Sequence, residues 1–105
     1  MQIENNQAIV IIEDLERIRV SLAKLGASNP DNIEQLSLNL LHYFIKNEVF
    51  KKISSAHKVL VESAERDEIL NSQLDDFFEK IAYPPLETNI TASDLSEIIK
   101  QKQKI

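Results

Sequence analysis

Apolar residues recur at helical spacing near the start of the chain. Ala8, Ile11, Leu15, Ile18, Leu22 and Leu25 are separated by 3, 4, 3, 4 and 3 positions, the seam of a helix packed nearly parallel to a neighbour. A helix over about 5–25 follows. Lys24 falls in its last turn, and Gly26 comes next, where a left-handed residue often closes a helix. Ala8 and the β-branched run Ile9, Val10, Ile11 and Ile12 could begin a strand. The seam continues for another 13 residues, so helix is the prediction.

Ser28-Asn29-Pro30-Asp31 reads as the next helix start. Asn29 can accept a free backbone N–H, Pro30 suits the first helical position, and Asp31 complements the dipole. Residues 35–45 carry no charge, and a helix apolar on most sides is expected at the centre, covered by several neighbours. Leu36, Leu38 and Leu40 alternate as a strand would, but the cap and the lack of a later turn favour a helix.

Lys46-Asn47-Glu48 offers a break without Gly or Pro, so either a turn or one continuous helix fits there. Val49, Ile53, Ala56, Leu60 and Ala64 then form a stripe that fails at Asp67 and Asn71. A bend at 64–68 follows, with Asp67 capping a helix that runs to 82 and buries Leu70, Leu74, Phe77, Phe78 and Ile81. Tyr83-Pro84-Pro85 ends that helix, because a residue before proline leaves the helical region. After a loop at 86–89, Thr91 caps a last helix with Ile90 and Leu95 as its hydrophobic staple and Leu95, Ile98 and Ile99 as its apolar edge. The basic tail 100–105 is expected to fray. These elements make an all-α protein, a compact bundle of four to five helices in one domain over 1–105, with a central helix at about 30–46.

Composition supports that reading. One Gly and three Pro cannot supply the turns of a sandwich or barrel. The 43% hydrophobic fraction is enough for one core. With no Cys there is neither a disulfide framework nor a thiolate metal site. No apolar run is long enough to cross a membrane, and no basic stretch precedes residues 8–12 as in a signal peptide, so a cytoplasmic protein is expected.

The parts needed for catalysis are few. His42 and His57 both fall among apolar residues at helical offsets, where a histidine is usually packed with a single hydrogen bond. The residues three before them are Asn39 and Ser54, so the Glu-x-x-His pairs of a bundle di-metal site are absent. Glu13 with Glu16, Glu62 with Glu65, and Asp76 with Glu79 do set carboxylates one turn apart, as metal-dependent helical phosphohydrolases require. In a chain with 17 acids such spacings also arise on any solvated helix. One glycine cannot make a phosphate loop. No catalytic residue, metal or cofactor is expected. The net charge of −5 and the scattered bases, Lys51, Lys52 and Lys58 among them, argue against nucleic acid as a partner.

The charge is unevenly placed. Between residues 62 and 79 stand Glu62, Glu65, Asp67, Glu68, Asp75, Asp76 and Glu79 against Arg66 alone, a net −6 that leaves the rest of the chain at +1. Acids at a helix start also serve solubility and the dipole. As a recognition surface, Glu62, Glu65, Glu68, Asp75, Asp76 and Glu79 would dock a basic protein, since focused charge raises on-rate and selectivity. In size, charge and helicity, though in no motif, the chain resembles bacterial immunity proteins and antitoxins. That likeness implies an inhibitor of a basic toxin or nuclease. A structural or adaptor subunit that forms homo-oligomers through the helix over 5–25 is the alternative, because Ile9, Ile12 and Val20 widen its apolar face beyond one seam.

Overall fold

The computed structural model describes residues 3–29 and 31–103. Its five helices are α1 (Asn5–Gly26), α2 (Ile33–Lys46), α3 (Val49–Glu65), α4 (Glu68–Lys80) and α5 (Ala92–Gln103). There is no strand among the described residues. The predicted all-helical bundle is what forms, and 3.6-residue periodicity prevails over both short strand-like alternatives.

α1 packs on α2 and α3, α2 also on α3 and α5, and α3 also on α4. The edge helices α4 and α5 therefore each lean on one neighbour, α3 and α2 respectively. The α2–α3 junction lies against the middle of α1. There the Tyr43 hydroxyl donates to the Arg17 carbonyl at 3.4 Å, and Glu16, Val20, Tyr43, Asn47 and Lys52 line one shallow cleft.

The buried core consists of Ile18, Leu36, Val49, Ala56 and Ala64, together with Ser63. Much apolar surface stays outside it. The accessible surface is 8941 Å², whereas a closed 12.0 kDa monomer exposes about 6,000 Å². The radius of gyration is 17.7 Å, against about 13 Å for a closed 100-residue domain. The bundle is elongated, 49 × 32 × 27 Å.

Several boundaries differ from the sequence reading, each for a local reason. Gly26 ends α1 as an ordinary helical residue, and its φ is not positive. The last carbonyls are taken instead by the Ala27 N–H, bonded to Ala23, and by Ser28, whose N–H and hydroxyl both donate to Leu25 at 3.0 and 2.6 Å. The left-handed residue is Asn29, with φ 47°, a conformation asparagine tolerates. The cap of α2 is Asn32, which accepts the Gln35 N–H at 3.0 Å, so the helix begins at Ile33 and Asp31 precedes it. Pro30, expected at the first helical position, lies outside the described residues.

The uncertain break near 47 is a turn of two residues. Glu48 is left-handed, with φ 50°, and Val49 immediately after it is 0% exposed. α3 turns Val49, Ala56 and Ser63 inward, with Lys52 half-buried on the same side. Ile53, Leu60 and His57 nevertheless remain exposed on α3, and His42 is exposed on α2. Neither histidine is packed as expected. α2 meets three neighbours but is not enclosed by them, since Leu38, Leu41 and Ile45 remain exposed.

α5 opens with a reciprocal cap. The Asp94 N–H donates to Thr91 Oγ1 and the Thr91 N–H to Asp94 Oδ2, both at 3.1 Å. The helix then continues through 100–103 instead of fraying, while Lys104 and Ile105 lie outside the described residues.

A Cβ on Gly26 meets nothing within 4 Å, so Gly26→Ala is expected to stabilise by about 0.5–1 kcal/mol through helix propensity. Glu48→Gly relieves a left-handed side chain and is expected to gain about 1 kcal/mol, while losing only the exposed 3.8 Å pair with Lys51. Thermal melts of both variants check this. A fall in Tm for Gly26→Ala would show that Gly26 is left-handed after all.

Candidate functional site

The acidic segment falls on the end of α3 and along α4. Glu62, Glu65, Glu68, Asp75, Asp76 and Glu79 are all exposed. On α4, Leu70 and Leu74 are half-buried on one side, and Glu68, Asp75 and Glu79, spaced 7 and 4 apart, run along the opposite side. Asp76 flanks that ridge and pairs with Lys80 at 2.8 Å. Glu65 and Glu68 flank the two-residue link between the helices, whereas Glu62 runs along α3 with Lys58 at 4.0 Å. The ridge is therefore a property of α4, and the α3 acids extend it at one end.

α4 begins as the sequence predicts. The Asp67 carboxylate accepts the N–H groups of Ile69 at 3.0 Å and Leu70 at 3.2 Å. The Leu70 N–H first, and the Ile69 N–H after it, hold the carboxyl below the usual aspartate range against an opposing desolvation. Because the folded pKa lies below the unfolded one, this cap contributes fully above about pH 4 and is lost as pH falls through the folded value. Asp67→Asn keeps a capping oxygen without the charge. In a pH series of melts, its Tm is expected to fall less than that of the wild type below pH 4. An equal fall in both proteins would mean that the cap contributes nothing to acid sensitivity.

The far end of α4 departs from expectation. The helix stops at Lys80, with Ile81 extended, and has no fully buried residue. Phe77 and Phe78, expected in the core, are 51% and 45% exposed. Their rings meet edge-on, with centroids 5.5 Å apart at 61°. α3 is the one helix that covers α4, and it leaves these rings in water. Tyr83 and Leu86 are more exposed still in the irregular segment that follows. An acidic ridge and an aromatic edge thus share one peripheral helix. Position 77 continues the Leu70–Leu74 stripe, so its exposure could not be read from spacing. The adjacency of Phe77-Phe78 to Asp75-Asp76 was the available signal.

The paired carboxylates lie on exposed helix faces. Glu13 and Glu16 are engaged by Arg17 and Arg19 at 3.5 and 3.0 Å, and Glu62 and Asp76 by lysines, so each carboxylate pair is already part of a local ion pair. Among the described residues, no three acidic or histidine side chains gather where they could hold a metal. A cleft of about 420 Å³ between α2 and α5, lined by Ile33, Leu38, Ile90, Ala92 and Leu95 among others, has mostly apolar walls. Among the described residues, no helix is long and apolar enough to cross a membrane. No family model, curated protein or solved structure matches this chain.

Proposed function

We propose that this chain is a non-enzymatic protein-binding module that docks a basic protein through α4, in its most specific form an immunity- or antitoxin-like inhibitor. The observation that carries the reading is the exposed acidic ridge of α4, opposite the half-buried Leu70 and Leu74, on a helix supported from one side that ends in the exposed Phe77–Phe78 pair. Protein interfaces are anchored by aromatic side chains with a charged rim around them, the anchors supplying affinity and the charges on-rate and selectivity. A basic partner fits because its charge meets the part of the chain that holds nearly all the excess negative charge.

The test is the triple reversal of Asp75, Asp76 and Glu79 to Lys, with binding measured against basic toxins or nucleases. All three positions are exposed, so helicity by circular dichroism is expected to be unchanged while binding is lost. Binding with an unchanged on-rate would rule out α4 as the docking surface.

A further inference from the structure

We infer that a second copy of this chain covers the outer face of α2, forming a two-fold dimer. α2 is apolar on two opposite sides. Leu36, Leu40 and Tyr43 turn inward and are buried or half-buried. Leu38, Leu41 and Ile45, spaced 3 and 4 apart, turn outward and are 62%, 59% and 69% exposed, with Phe44 at their shoulder. α5 is the helix nearest this outer side, and its shared cleft with α2 reaches Leu38 but includes neither Leu41 nor Ile45.

Area and charge select the occupant. The surface of 8941 Å² exceeds that of a closed monomer by about 2,900 Å². A standard interface takes about 800 Å² from each partner, and an obligate homodimer about 1,000–2,500 Å². Spread over the whole chain, that excess is large enough to include one interface of this size. Two copies of a chain with net charge −5 repel wherever their acids approach, and residues 35–45 are the longest stretch without a charge, ahead of residues 5–12. A basic partner gains nothing there, whereas an identical stripe matches itself across a two-fold axis. Spacing of 3 and 4 suits helix-on-helix packing. The acidic α4, which packs on α3 and not on α2, stays outside this contact. The inference does not depend on what α4 binds, because it concerns the chain alone.

Sedimentation equilibrium of the whole chain, without any partner, tests it. The wild type is expected to sediment at about twice 12.0 kDa at micromolar concentration. Leu41→Glu places a carboxylate at the centre of the stripe and should weaken the dimer by at least about 100-fold with unchanged helicity. Ile45→Lys gives the same readout with the opposite charge should the first variant fold poorly. Ile12→Glu, at an exposed position on α1, should leave the dimer intact. A monomeric wild type at about 100 μM would overturn the inference, as would a dimer that survives both α2 variants or one that Ile12→Glu dissociates.

Discussion

Leu36→Ala is expected to remove most of the stability of this protein. Leu36 is one of five buried apolar side chains among the described residues, on the helix that joins α1, α3 and α5. Truncating a buried leucine costs about 2–4 kcal/mol, from lost transfer free energy and the cavity left behind. Domains of this size are stable by about 5–15 kcal/mol, and a core this small places the chain toward the lower end. The urea midpoint of Leu36→Ala should therefore fall steeply, to the point of partial unfolding without denaturant. Leu86→Ala, which truncates a side chain 89% exposed, should change the stability by less than about 0.5 kcal/mol. Equal effects at the two positions would mean that Leu36 is not part of the core.

Charge reversal on α4 is the second large effect. Replacing Asp75, Asp76 and Glu79 by Lys changes the local charge by six units, turning attraction for a basic partner into repulsion. Close charge pairs across an interface couple by about 1.5–7 kcal/mol, so losing even two of them costs more than a hundredfold in affinity. The on-rate should fall first, because steering acts before contact. The fold should barely respond, since all three side chains are exposed and the Asp76–Lys80 pair is a surface pair of little stabilising worth.

Where the chain encodes structure locally, its sequence is readable. The α1 helix, the Asp67 cap, the stop before Pro84 and the Thr91 cap each rest on neighbours in sequence, and each is found close to where the spacing puts it. Gly26 and Asn29 show the limit. Two residues three positions apart could both take the left-handed turn, and Ser28 bonding back to Leu25 removed the need for it at the glycine. Burial was less legible, because it depends on which neighbour covers a face and not on the face itself. The uncharged stretch of α2 has the pattern of an enclosed helix and is half open. Phe77 and Phe78 follow a core-like stripe and are exposed, since α3 alone covers α4. The acids of the candidate site were legible from charge, whereas the exposure of the aromatic pair at the end of α4 depended on how far α3 covers it.

The most direct measurement of the central claim is the association rate of the wild-type chain with a basic toxin or nuclease that it binds, across a salt series. Steering by the α4 ridge predicts a rate that falls at least about tenfold between low and high salt, and a triple-reversal variant that is slow throughout. A rate independent of salt and equal in the two proteins would contradict docking through α4.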